Sequence, residues 1–223
     1  EGDVYVFDGT TWSVSNDLGN GVQTVQSLAV YNDNLYAGLG NAAGAADVIV
    51  YNGTSWATST DFGAAYEYVF TLTTYNGKLY AGLGSTDGDA DLYVYDGVNW
   101  TFVRDMGAGI NTVNSMAVYN GKLYVGLGWS TDDAEVWVYD GSTWTLSTTF
   151  SAGLNGVESM AVYNGKLYAG LGGASGFSEV YVFDGNSWTL SQDFGAGRET
   201  VFSLATYNGK LYAGLGGTTD DAD

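Results

Sequence analysis

The chain of 223 residues has no cysteine, no histidine and no proline. Without cysteine there are no disulfides. Without cysteine and histidine together, Ser-His-Asp and Cys-His nucleophiles, structural zinc and haem-type ligation are excluded in one step. Cations are also scarce. Six Lys and Arg face 25 Asp and Glu, for a net charge of −19 and a pI near 4.1. So few positive groups cannot neutralise a phosphate backbone, which excludes a nucleic-acid partner and disfavours anionic membrane surfaces. The sequence holds no transmembrane run and no signal-peptide pattern, so membrane insertion is not expected, and a start at Glu1 is compatible with a processed product.

What is abundant is glycine, with 34 residues, alongside 18 tyrosines and seven tryptophans, and 45% of the chain is hydrophobic. That apolar share is enough for a folded core despite the charge, and the glycines point to many short strands joined by tight turns.

Self-similarity decides the fold. VYNDNLYAGLG at Val30 returns as TYNGKLYAGLG at Thr74, VYNGKLYVGLG at Val118, VYNGKLYAGLG at Val162 and TYNGKLYAGLG at Thr206. The anchoring Tyr31, Tyr75, Tyr119, Tyr163 and Tyr207 are each 44 residues apart, so the chain holds five repeats with a three-residue overlap. Each repeat reads as four strands, in one copy 69–74, 78–82, 92–95 and a fourth starting near Trp100. Asn-Gly and Asp-Gly between apolar runs predict type I′ hairpins, in which both central residues take positive φ.

These features predict an all-β fold: a single-domain five-bladed β-propeller over 1–223 with four antiparallel strands per blade. Residues 1–22 supply the outer strands of the closing blade. Full blades occupy 23–66, 67–110, 111–154 and 155–198, and 199–223 supply the closing blade's inner strands. The last blade is thus closed by both termini, which removes the open edge of a linear stack.

LYVGLG followed by VWVYDGSTW, ending at Trp144, is similar to the kelch repeat, and the similarity covers every blade. The glycines read Gly126-Leu127-Gly128 where kelch has a pair. In blade number the chain resembles the tachylectin-type five-bladed lectins, and that resemblance implies sugar sites repeated around a ring.

Loops in such a fold alternate between two faces. The Asn-Gly-Lys turns form a nearly invariant face with five acids and four lysines. The other face holds the variable loops, with the remaining twenty acids opposed by Arg104 and Arg198 alone. Variable loops on a fixed scaffold are where function usually sits. Candidate ligand-binding residues there are Tyr66, Glu67, Tyr68, Asn111, Trp129, Asn155, Phe177, Arg198 and Glu199, because rings beside carboxylates and amides suit the apolar face and hydroxyls of a sugar. The recurring Trp12, Trp56, Trp100, Trp144 and Trp188 read instead as blade packing.

Two acidic positions recur: Asp3, Asp47, Asp91, Glu135 and Glu179 open the third strands, and Asp17, Asp61, Asp105 and Asp193 end the fourth. Antiparallel pairing makes them neighbours. They can cap loops through backbone N–H groups, or hold a hard cation. Asp87, Asp89 and Asp91 alternate like a calcium loop, which makes Ca²⁺ the candidate cofactor.

The innermost strands carry a single acid, Glu158, opposite Gln26, Phe70, Asn114 and Phe202, so a glycoside hydrolase is the least favoured class and the chain is not expected to be an enzyme. The favoured reading is a non-catalytic, lectin-like module, probed by a neutral glycan or another protein as partner, monomeric and extracellular or on the cell surface. The alternative is an interaction scaffold without a small ligand, including an engineered or excerpted repeat array.

Overall fold

The computed structural model describes residues 2–18, 24–41, 45–63, 65–84, 89–107, 109–129, 132–150, 153–173, 178–195 and 200–216. They form twenty strands, and among the described residues there is no helix. The chain divides into two compact units, residues 1–108 and 109–223, with the division beside the expected blade boundary at residue 110.

The first unit begins with a two-stranded hairpin of β1 (Asp3–Phe7) and β2 (Trp12–Asp17). Two four-stranded antiparallel meanders follow. One is β3 (Thr24–Tyr31), β4 (Asn34–Gly40), β5 (Asp47–Tyr51) and β6 (Trp56–Asp61). The other is β7 (Tyr68–Tyr75), β8 (Lys78–Gly84), β9 (Asp91–Tyr95) and β10 (Trp100–Asp105).

The second unit has the complementary order, with two full meanders and then a hairpin. Its meanders are β11 (Thr112–Tyr119), β12 (Lys122–Gly128), β13 (Glu135–Tyr139) and β14 (Trp144–Thr149), and β15 (Leu154–Tyr163), β16 (Lys166–Gly173), β17 (Glu179–Phe183) and β18 (Trp188–Asp193). The hairpin is β19 (Thr200–Tyr207) with β20 (Lys210–Gly216). Repeated four-stranded antiparallel sheets of this kind are consistent with a propeller.

The two kinds of turn differ. In the Asn-Gly turns both central residues have positive φ, as at Asn120 (48°) and Gly121 (71°), and Asn32-Asp33 follows the same geometry without glycine. The Asp-Gly turns depart from the expected type I′. Only the glycine has positive φ, 102° at Gly97, and the loop spans four residues. The aspartate side chain takes over the work. Asp96 Oδ1 accepts from the N–H groups of Val98 and Asn99, both at 2.8 Å, and Asp8, Asp140 and Asp184 repeat the arrangement. These backbone donors hold all four carboxyls below the ordinary aspartate value.

Neighbouring sheets within a unit are tied by a fixed set of contacts. Ser115 Oγ donates to the Val157 carbonyl at 2.7 Å, and Ser159 Oγ to the Val201 carbonyl at 3.0 Å. The Tyr119 hydroxyl donates to the Gly165 carbonyl at 2.9 Å. The tryptophans act as expected of scaffold: Trp188 stacks on Phe183 with centroids 5.1 Å apart, and its indole N–H donates to Ser147 Oγ at 3.0 Å. Trp56 and Trp100 do the same with Ser15 and Ser59. Such approach leaves no room for a side chain at the first glycine of the second strand's Gly-Leu-Gly. A Cβ on Gly126 would meet Ser115 Oγ at 2.5 Å and Val157 Cβ at 2.8 Å. Fully buried Leu123, Leu127, Leu154, Leu167 and Leu171 fill the second unit, each worth about 1.5–3 kcal/mol of burial.

Candidate functional site

The first strand of every repeat carries a β-bulge at one position. The register jumps from Val25 to Ser27, Val69 to Thr71, Val113 to Ser115, Val157 to Ser159 and Val201 to Ser203. The unpaired residues are therefore Gln26, Phe70, Asn114, Glu158 and Phe202, the one position of this strand where the chemistry changes from acid to amide to aromatic. A bulge takes its residue out of the ladder and re-aims the side chain.

In the second unit this position builds a cavity. It encloses about 220 Å³ and is lined by Trp129, Asn155, Glu158, Gly172, Gly173, Thr200 and Phe202. Among its described lining residues Glu158 is the only acid and there is no cationic side chain. Burial pushes the Glu158 carboxyl up to about 7, opposed by the Asn114 amide. Asn114 is held by the Thr112 hydroxyl, which lies within reach of Asn114 Oδ1 and 2.6 Å from the Gly128 carbonyl oxygen. Asn114 Nδ2 is buried and, like Asn155 Oδ1, has no hydrogen-bond partner among the described residues that meets strict geometry.

Space for the carboxylate comes from Gly156. A Cβ there would stand 2.5 Å from Glu158 Oε1 and 3.0 Å from Asn114 Nδ2. The equivalent positions in the other repeats are Thr24, Tyr68, Thr112 and Thr200. Glycine and the lone acid depart from the repeat together, two residues apart, and that joint departure is the sequence signal that would have found this site.

Trp129 closes the rim. It is 56% exposed at a φ of 105°, where a bulky side chain is rarely found, and its N–H donates to the Asn155 carbonyl at 2.8 Å. One repeat later the same position is Gly173. Phe202, 64% exposed, supplies a second ring. The cavity thus joins two aromatic surfaces to a carboxylate and an amide.

The other expected ligand residues fall elsewhere. Tyr66 is not an exposed platform. Only 9% exposed, it packs in the first unit's core, where its hydroxyl donates to Asp91 Oδ2 and its ring meets Tyr93 edge-on at 6.0 Å. Burial also raises the Tyr66 hydroxyl pKa. Tyr68 is half-buried and stacks on the bulge residue Phe70 at 4.8 Å. In that repeat a ring fills the position that Glu158 occupies in the second unit. Glu67 accepts the Asn41 N–H through its carbonyl at 3.1 Å, the counterpart of the Asn155–Trp129 bond. Asn111 is half-buried just ahead of β11. Phe177, Arg198 and Glu199 lie outside the described residues.

The expected acid pairs are register partners: Asp3 with Asp17, Asp47 with Asp61, Asp91 with Asp105, and Glu179 with Asp193. Asp61, Asp105 and Asp193 each accept the N–H of the glycine two residues on, at 2.6–2.7 Å, which is the loop-capping role. In the repeat that has Thr149 instead, its hydroxyl donates to Glu135 Oε1 at 3.2 Å. Burial, and then the neighbouring Asp61, raise the Asp47 carboxyl. Of the calcium candidates, Asp87 lies outside the described residues and Asp91 takes the Tyr66 hydroxyl; Asp89 lies ahead of β9. Among the described residues no cluster of three or more potential metal ligands occurs.

No family model and no curated protein matches the sequence. Solved structures do. The chain is 19% identical to the extracellular domain of BT4673 from B. thetaiotaomicron at a TM-score of 0.68, covering 95% of this chain and 28% of that one. It is 16% identical to YjhT at a TM-score of 0.63, covering 99% of this chain and 85% of that one. PorZ, a surface component of the type-IX secretion system of Porphyromonas gingivalis, aligns at 18% identity and a TM-score of 0.59, over 94% of this chain and 34% of that one. The chain therefore spans about a third or less of two of these relatives, and what it shares with all three is a repeat-rich all-β fold of the propeller type.

Proposed function

We propose that this chain is a non-catalytic binding module that takes a neutral glycan in the cavity beside Glu158. The observation that carries the reading is the pairing, in one cavity of about 220 Å³, of the Trp129 and Phe202 rings with the Glu158 carboxyl and an Asn155 Oδ1 that has no partner among the described residues. Rings cover the apolar face of a sugar, and amide and carboxylate oxygens accept from its hydroxyls. The volume is below the roughly 300–1,000 Å³ of a drug-sized pocket, which suits a single sugar ring. Hydrolysis would require a second carboxylate across the scissile bond, and Glu158 is the one acid among the described lining residues. Relatives of this fold in an extracellular domain and a surface component support a role outside the cell.

The scaffold we infer is a five-bladed, kelch-like propeller. The 44-residue period supports it, as does the 41-residue offset that separates the indoles of Trp56, Trp100 and Trp188 from the serines they meet.

Neutral glycans immobilised as an array, probed with the full chain and with Trp129→Ala, test the function. Binding that falls at least about tenfold in the variant is expected, since a well-packed aromatic contributes upwards of about 1–2 kcal/mol. Absence of binding to any neutral glycan would overturn the reading. A second reading, a protein-binding module, is favoured by a structural neighbour within the mitotic checkpoint complex, 18% identical at a TM-score of 0.66 over 96% of this chain.

A further inference from the structure

The charge on the described lining of the cavity is one-sided. Glu158 brings two carboxylate oxygens, Asn155 an unpartnered Oδ1, and Thr200 a hydroxyl that can also accept. The side-chain donors near the cavity, the Asn155 and Asn114 amides, the Trp129 indole N–H and the Thr200 hydroxyl, are all neutral and bring no charge to offset the carboxylate. Among the described lining residues there is no cation, and the two rings present π-faces, which attract positive charge.

A sugar hydroxyl fits this inventory incompletely. It carries one donor and brings lone pairs of its own, so a buried carboxylate beside it stays uncompensated. A protonated amine carries three donors, no acceptor and a full positive charge. It can satisfy Glu158 and Asn155 together and offset the cost of burying the carboxylate, since an ionised buried group is tolerated when paired and hydrogen-bonded. The rest of the lining is Gly172 and Gly173.

We propose that the cavity selects a glycan bearing a free amine, an amino sugar whose ammonium group sits between Glu158 and Asn155 with its ring against Trp129 and Phe202. This rests on the glycan reading above, in which Trp129 and Phe202 hold the sugar ring, and adds to it a preference for a cationic substituent over a neutral one. Glu158 is the specificity residue; the aromatic pair binds the ring whatever its substituents. Gly156 is part of the device, because any side chain there would meet the carboxylate.

The experiment is calorimetric titration of the full chain at about pH 7 with three probes: a β-1,4 glucosamine tetramer, its fully N-acetylated counterpart and n-butylammonium chloride. The unacetylated tetramer should bind at least tenfold more tightly than the acetylated one. Glu158→Gln keeps the shape and removes the charge, so it should erase that preference and leave the two tetramers equal. Equal affinities in the wild type, or a preference that survives in Glu158→Gln, overturn the inference while leaving the glycan reading intact. Binding of n-butylammonium that depends on Glu158, with neither tetramer bound, would keep the ammonium site and overturn the glycan reading. Failure of all three probes overturns both.

Discussion

Replacing Glu158 by glutamine should stabilise the protein above neutral pH and leave it unchanged in acid. The folded carboxyl is raised to about 7 by burial, whereas in the unfolded chain a glutamate titrates near 4.3. Between those values the native state holds a proton that the unfolded state has given up. The unfolded state therefore binds fewer protons, and wild-type stability falls as pH rises through this window. Below about pH 4 the group is protonated in both states and contributes nothing. Above about pH 8 the loss levels off at roughly 4 kcal/mol, the difference between the two values at about 1.4 kcal/mol per unit. Glutamine fills the same space without titrating, so the variant avoids that loss. For a chain of this size the gain corresponds to a rise of roughly 8–16 °C in melting temperature, as an upper bound. Asp47 and Asp91, also raised chiefly by burial, titrate in both proteins and cancel in the comparison. Thermal melts of the two proteins at about pH 4 and pH 8 provide the assay. A difference of the same size at both pH values would refute the reasoning, because it would mean that Glu158 titrates as a solvated acid.

Trp129→Gly should raise the urea midpoint by relieving about 1–3 kcal/mol of backbone strain at φ 105°, while Trp129→Ala, which keeps the strain, should not; equal midpoints for the two variants would remove strain from the account. Gly126→Ala forces a methyl into Ser115 and Val157 and should cost about 1–3 kcal/mol in urea denaturation. Ser147→Ala leaves the Trp188 indole N–H without its acceptor and should cost about 1 kcal/mol, with a shift in tryptophan emission; an unchanged spectrum would place the indole in water already.

The strands and their order were legible because the repeat is written five times, and turn chemistry marks each reversal. The Asn-Gly hairpins follow directly from the positive φ that those residues tolerate. The Asp-Gly loops differ from the Asn-Gly turns in a way the dipeptide does not reveal: the Asp96 carboxylate, rather than a second positive φ, closes the loop. Trp129 and Asn155 were legible as departures from a repeated background, and they meet at the cavity. Tyr66 broke the pattern too, yet it is core: its exposure depended on whether Asp91 could accept its hydroxyl, a contact across 25 residues that no local pattern encodes. Glu158 was visible as the one acid of the inner strands, but its weight was not. Only the register shows that it stands on a bulge, and only the packing shows that Gly156 makes room for it.

The bulge shared by all five first strands has a consequence for how such a chain changes over time. The residue at the bulge makes no ladder pair, so its identity is uncoupled from the hydrogen bonds that hold the sheet. Glutamine, phenylalanine, asparagine, glutamate and phenylalanine occupy it in turn on an otherwise shared backbone. Each repeat thereby carries an exchangeable socket, in which one codon can rewrite local chemistry while the scaffold keeps its geometry. A duplicated array with such sockets can explore ligands one repeat at a time, and the Glu158 socket, with its matching glycine, has the form of one such trial.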